Sequence, residues 1–155
     1  MFFKKESDPI KVLLSKQQQA LGRVFKRGEM IIREGDVDNS MYVIQSGAVE
    51  VFRLDHKGQE MIFTTLEKGD VFGEMSLFDS APRSASIRAS SKETRVLCLT
   101  KKTLLQRIRE DPFLMLLIFR KMSERIREKD EELMTLTIKM NRLMDELPPS
   151  APKES

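Results

Sequence analysis

Two side chains nine positions apart, Glu74 and Arg83, have the chemistry of a small-molecule site. A guanidinium presents a planar fork of donors that grips a phosphate through two charge-assisted hydrogen bonds. A carboxylate accepts a hydrogen bond from a sugar hydroxyl. One anion clamp and one hydroxyl acceptor, a loop apart, suit a ribose-phosphate ligand. The plain alternative is a surface ion pair, which contributes little to stability. The stretch around them, GDVFGEMSLFDSAPRSASI from Gly69 to Ile87, supplies the elements that must position the pair. Val71-Phe72 is apolar and β-prone, Gly73 frees the backbone to turn, and Glu74-Met75-Ser76-Leu77-Phe78 can wind into one or two helical turns. Asp79 to Pro82 ends that helix, and Ser84 to Ile87 resumes a strand. A helix entered through glycine leaves unpaired N–H groups at its start, where the helix dipole favours an anion. The hydroxyl or backbone N–H of Ser84, beside Arg83, can reach the same phosphate.

The run FGEMSLFDSAPRSAS resembles the phosphate-binding cassette of cyclic nucleotide-binding domains, as in bacterial catabolite activator proteins and protein kinase A regulatory subunits. The family pattern is Phe-Gly-Glu, two or three small or apolar residues, a variable loop, then Arg followed by a small residue and Ala. Phe72, Gly73, Glu74, Leu77, Arg83, Ser84 and Ala85 occupy those places, and the likeness extends over roughly residues 20 to 130. It implies a cyclic nucleotide ligand, with the cassette (72–86) contributing Phe72, Gly73, Glu74, Met75, Ser76, Arg83 and Ser84. Glu74 would take the ribose 2′-hydroxyl, and Arg83 with Ser84 would close on the cyclic phosphate.

The surrounding sequence is a series of short strands. Gly28, Gly35, Gly47, Gly58 and Gly69 fall at regular intervals between Met30-Ile31-Ile32, Met41-Tyr42-Val43-Ile44, Val49-Glu50-Val51-Phe52 and Met61-Ile62-Phe63. Even spacing of short strands argues for a β-sandwich or barrel. Asp55-His56-Lys57-Gly58 reads as a hairpin tip. The expected fold is mainly β with a helical C-terminus: from the resemblance, an eight-stranded β-roll of the jelly-roll kind, then a short helix and a long dimerising helix. The organisation expected is an arm or short helix over 1–19, the roll over 20–110, the long helix over 111–147 and a disordered Pro-rich tail over 148–155.

Composition narrows the function classes. The chain has 155 residues, a net charge of +3 and no basic block of the kind that marks a nucleic-acid surface. No apolar run is long enough to span a bilayer, and Met1-Phe2-Phe3 is followed at once by charge, so neither membrane insertion nor a signal peptide is expected. The lone Cys98 sits in the apolar strand Val96-Leu97-Cys98-Leu99 and reads as a buried small hydrophobe of a cytoplasmic protein. A jelly-roll metalloenzyme would need several histidines. His56 stands alone at a turn, so no metal is expected. No nucleophile triad can be assembled, and the chain reads as a binding protein with no catalytic residue.

At the helical end, Thr100 can cap a helix over Lys101 to Arg109 whose Leu104, Leu105 and Ile108 face the roll. Asp111-Pro112 signals a second start. No Gly or Pro follows until Pro148, which allows a helix roughly 50 Å long at 1.5 Å per residue. Phe119, Ile126, Leu133, Met140 and Leu147 recur every seven residues, and Met115, Met122, Leu136 and Leu143 hold the second seam. That register favours a two-stranded coiled coil over residues 115–147, simplest as a parallel homodimer. The family's bacterial regulators dimerise through the corresponding helix.

Lys129 interrupts the seam. Aligned with the catabolite activators, Lys129 and Asp130 fall where that family places the Thr-Ser pair that contacts adenine. The departure leaves base specificity open, with cyclic AMP the favoured ligand and cyclic GMP an alternative. No helix-turn-helix follows, so the expected output is an effector protein rather than DNA. A cyclic dinucleotide or other metabolite, or a ligand-independent dimer scaffold, stays open on the same fold. Met134, Ile138 and Met144 lie off the main seam, either as a docking face or as a widening of the coil's contact.

Overall fold

The computed structural model describes residues 22–146, apart from the side chain of Leu117. The expectations for segment 1–19, for Leu147 and for the tail 148–155 lie outside the described residues. The chain divides into two compact units, Met1–Leu114 and Met115–Ser155.

In the first unit, eight strands form two antiparallel four-stranded sheets: β1 (Arg23–Lys26), β2 (Met30–Ile32), β3 (Ser40–Ser46), β4 (Ala48–Leu54), β5 (Glu60–Glu67), β6 (Val71–Phe72), β7 (Ser86–Ala89) and β8 (Glu93–Thr100). One sheet has the order β1-β8-β3-β6 and the other β2-β7-β4-β5. This is the mainly β architecture that the strand spacing predicts, in the eight-stranded roll form that the resemblance implies. Residues opposite one another in a ladder share a face. Ile44 pairs with Val96 in the first sheet, and Val49 with Ala89 and Val51 with Ile87 in the second. These faces close on one another, with Phe25, Ile32 and Phe72 completing the buried cluster. The other face of β3 and β8 is buried as well, through Met41, Val43, Leu97 and Leu99. Two helices pack on these strands, α1 (Glu74–Asp79) on β3 and α2 (Lys101–Glu110) on β8.

The turns follow the chemistry read from the sequence. At the β4–β5 hairpin, Asp55 Oδ1 accepts from the N–H of Lys57 at 2.7 Å and of Gln59 at 2.8 Å, while Gly58 takes the left-handed φ of 76°. Thr100 caps α2, its Oγ1 accepting from Thr103 N at 3.2 Å. Two expectations are corrected. Cys98 is exposed, not buried. It lies near the end of β8 opposite half-buried Tyr42, and an apolar run does not reveal where a strand loses its cover. Leu105 is also exposed; the contact of α2 rests on Leu104 and half-buried Ile108, a stripe one i, i+4 step wide. At the cassette's edges, Asp79 is still helical, and the strand resumes at Ser86 rather than Ser84.

The helix α3 (Phe113–Asp145) begins beside Asp111, whose Oδ1 accepts from Phe113 N at 3.2 Å. Along the second unit Phe119, Ile126, Leu133, Leu136, Met140 and Leu143 are each more than half exposed.

Gly47, between β3 and β4, has φ 78°, and a Cβ there would lie 2.5 Å from the Glu93 carbonyl oxygen and 2.8 Å from Thr94 Oγ1. Thr94 cannot yield, because it is fully buried and donates to the Ala48 carbonyl at 2.9 Å. Gly58 has a similar φ but open space around it. Gly47→Ala is therefore expected to cost about 2 kcal/mol or more, and Gly58→Ala about 1 kcal/mol. Urea midpoints of the two variants against wild type check the order, and equal losses would show that crowding at Gly47 is relieved by movement.

Candidate ligand-binding site

The cassette is built from the end of β6, α1 and the loop into β7. Phe72 is buried and its ring stacks on Tyr42 with centroids 5.2 Å apart. Gly73 then takes φ 74°, the left-handed conformation that glycine adopts without steric cost, and turns the chain into α1. In α1, Glu74 and Ser76 are buried while Met75 points outward. Ser80 ends the helix in a left-handed conformation, its N–H donating to the Ser76 carbonyl at 3.1 Å.

Arg83 is the centre of the site. Only 4% of it is exposed. One guanidinium nitrogen, Nη1, donates to the Gly73 carbonyl at 2.6 Å. The other, Nη2, donates to the Ser40 carbonyl at 2.6 Å and to Asp38 Oδ2 at 2.7 Å. Its backbone is tied to the same region: Gly35 N donates to the Arg83 carbonyl at 2.8 Å, and Arg83 N to the Asp36 carbonyl at 2.9 Å. The guanidinium also lies 5.9 Å from the centre of the Tyr42 ring. Arg83 Nε is buried and has no partner among the described residues. A buried N–H donor without an acceptor is costly, and an anionic oxygen is the acceptor it fits best.

Asp38 completes the cluster. Its Oδ2 accepts from Ser40 Oγ at 2.6 Å and from Tyr42 Oη at 3.4 Å as well as from Arg83. Burial alone would raise the Asp38 carboxyl, but the Ser40 and Arg83 hydrogen bonds and the Arg83 charge outweigh it and hold it below its ordinary value. Burial pushes the Tyr42 phenol the other way, upward. A carboxylate is thus held ionised beside a buried cation, which removes much of the cost of burying the cation.

Of the sequence-predicted residues, the fold gathers Phe72, Gly73, Glu74, Ser76 and Arg83 in one place. Met75 and Ser84 lie on its exposed side. Lys129 and Asp130 belong to the second unit, where both are exposed on α3 and Lys129 Nζ pairs with Glu132 at 2.7 Å. Sequence reasoning missed Asp38, Ser40 and Tyr42. The only local signal was a polar loop before β3. Nothing in it points to an arginine 45 positions away. Among the described residues no group of three or more His, Cys, Asp or Glu side chains is placed to hold a metal ion. No helix among them is long and apolar enough to cross a membrane.

Comparison with known proteins bears on this geometry. Residues 22–111 match the sequence profile of the cyclic nucleotide-binding domain. The cyclic AMP receptor protein of Thermus thermophilus is 37% identical over 111 residues, 72% of this chain and 51% of that protein. A cAMP-dependent protein kinase regulatory subunit from Blastocladiella emersonii is 45% identical over 68 residues, 44% of this chain and 17% of that protein. The crystal structure of the Thermus thermophilus catabolite activator protein superposes with a TM-score of 0.69 at 33% identity, covering 88% of this chain and 62% of that one. This chain therefore spans about half or less of the curated relatives it matches. Its profile match takes in the whole roll and the cassette with buried Arg83, and the chain belongs to the cyclic nucleotide-binding domain family.

Proposed function

We propose that the chain is a cyclic nucleotide sensor of the cytoplasm, a regulatory rather than a catalytic protein, with cyclic AMP its preferred ligand over cyclic GMP. One observation carries the site assignment: Arg83 is buried beside left-handed Gly73 with its Nε unpartnered, so the cradle has a cationic donor to spare. In this reading the cyclic phosphate meets Arg83, Ser84 and the backbone N–H groups around Met75 and Ser76. Glu74 accepts from the 2′-hydroxyl, which a 3′,5′-cyclic nucleotide leaves free. Phe72 and Gly73 shape the turn. The preference for adenine is supported by the two relatives named for cyclic AMP. Lys129 and Asp130 are the candidate base-reading pair on the family alignment. The exposed stripe of α3 supports pairing with a second copy, and an effector protein would receive the signal.

Calorimetric titration with cyclic AMP, cyclic GMP and cyclic di-GMP tests this directly. The expected result is binding of cyclic AMP at micromolar concentration or below. Arg83→Leu is expected to lose about 2–3 kcal/mol of binding, on the order of a hundredfold in affinity. Equal affinity in the variant would sink the site assignment. Tighter binding of cyclic GMP or the dinucleotide would reassign the ligand, and silence with all three would favour a ligand-independent scaffold.

The Asp38 cluster generates a pH prediction. Its folded-state pKa is depressed, so its stabilisation is fully present above the ordinary carboxylate value of about 3.9. It is lost as pH falls through the lower folded value. Wild type should therefore exceed Asp38→Asn in urea midpoint at pH 7, and the gap should close in acid. A gap that is constant from pH 7 down to about 2.5 would show that the carboxylate charge contributes nothing.

A further inference from the structure

The charge of Arg83 is already balanced before any ligand arrives. Asp38 is its ion-pair partner at 2.7 Å, and the Asp38 side chain is 43% exposed, so the carboxylate stands between the buried guanidinium and solvent. A guanidinium has five N–H donors, two of them on Nη2. Nη2 donates to the Ser40 carbonyl and to Asp38 Oδ2, and Nη1 to the Gly73 carbonyl. Nε remains, buried and unpartnered among the described residues, on the same planar group. Resting on the cyclic nucleotide reading above, we propose that Asp38 is a specificity-determining residue: it limits the site to a phosphate bearing one negative charge, admitting a cyclic phosphodiester and rejecting the doubly charged phosphate of a 5′-nucleotide.

Two physical arguments converge on that role. The first is the number of donors left. A free arginine grips a phosphate with two parallel N–H groups. Here both donors of Nη2 are taken, so a ligand can meet Nε with one oxygen while Asp38 and Ser40 keep their places. That oxygen lies close to the Asp38 carboxylate, because Nε and Nη2 hang on one carbon. The second is charge. Burial would raise the Asp38 carboxyl, but the Ser40 and Arg83 hydrogen bonds and the Arg83 charge hold it below its ordinary value, so it is ionised at neutral pH. A phosphodiester brings one negative charge, whereas a phosphomonoester carries about −1.5 to −2 at pH 7. The extra charge finds Arg83 already neutralised and meets a like charge in a partly buried site. Glu74, the other carboxylate of the cradle, adds to the same sign. Specificity of this kind needs a repulsive element against the competitor as well as contacts to the ligand. Hydrolysis of one ester bond turns the singly charged ring into the doubly charged monoester, so a filter on charge separates the intact signal from its hydrolysed product.

Calorimetric titration of the full chain with cyclic AMP, 5′-AMP and the methyl ester of 5′-AMP tests the proposal. The ester is an open-chain diester with one charge, so it separates charge from ring shape. Wild type is expected to bind the ester on the order of tenfold more tightly than 5′-AMP. Asp38→Asn keeps an oxygen for Arg83 and Ser40 but drops the charge, and should narrow that gap to about twofold. Asp38→Glu keeps the charge and should keep the gap. A wild type that binds 5′-AMP as tightly as the ester, or binds cyclic AMP and neither open-chain ligand, would overturn the charge filter without recourse to a variant. A gap that persists unchanged in folded Asp38→Asn would take the role from Asp38. Each of these failures leaves cyclic AMP binding, and with it the sensor reading, intact. A wild type that does not bind cyclic AMP would overturn that reading and the filter together.

Discussion

The guanidinium of Arg83 is the constraint on which the described roll depends. A cation 4% exposed is sustained only where its hydrogen-bonding fork is answered and its charge balanced. Here the answers come from two separated parts of the chain: the Gly73 carbonyl after β6, and, two residues apart, the Ser40 carbonyl at the start of β3 and the Asp38 carboxylate in the loop before it. The same constraint dictates a glycine. A Cβ at position 73 would stand 2.6 Å from Arg83 Nη1 and 3.3 Å from the Ser40 carbonyl oxygen. Gly73 is therefore required twice, by its left-handed φ and by the close approach of the arginine it helps to hold.

This arrangement explains why a β-roll suits the task. Ser40 and Phe72 lie on strands β3 and β6, which are neighbours in one sheet, with Tyr42 opposite Phe72 in the ladder. The Tyr42–Phe72 stack and the fully buried Ile44 and Val43 fix that edge of the sheet. Groups carried at the ends of such strands cannot drift independently, so the Ser40 and Gly73 carbonyls meet Arg83 in a fixed geometry without an induced ordering cost. The loop from Ala81 to Arg83 is short of regular structure, yet its backbone is tied in both directions to Gly35 and Asp36. Precision in this site comes from non-local ties rather than from secondary structure.

That division accounts for what the sequence revealed. Local chemistry was legible: glycines at turns, Asp55 closing a hairpin, Thr100 capping α2, and the Phe-Gly-Glu to Arg spacing of the cassette. The turns and caps require a residue type at a fixed offset, which is visible in one dimension, and the cassette was legible through its family resemblance. Asp38, Ser40 and Tyr42 were not legible as partners of Arg83, because their relation to it exists only after β3 and β6 pair. Cys98 and Leu105 failed for a related reason. An apolar pattern predicts which residues are suited to burial, but the extent of the covering surface is set by other elements. Glu74 is an intermediate case, singled out for its chemistry and buried more deeply than a surface carboxylate would be.

The binding energetics follow from how fully Arg83 is already engaged. A phosphate arriving at an exposed arginine would gain the whole of a charge-assisted contact less the cost of displacing water. At Arg83 it meets a group that already donates to two carbonyls and a carboxylate, so its net gain is a difference between bonded states. The unpartnered Nε is where that difference is largest, since a bond made there displaces nothing among the described residues. Any further pull on Nη2 competes with Asp38 and Ser40 and is transmitted to the loop before β3. Under the proposed function, ligand discrimination and ligand-driven change would both run through this one buried side chain. An anion reaching Nε would bind there, and the geometry of its remaining oxygens would decide how far the Asp38 loop yields.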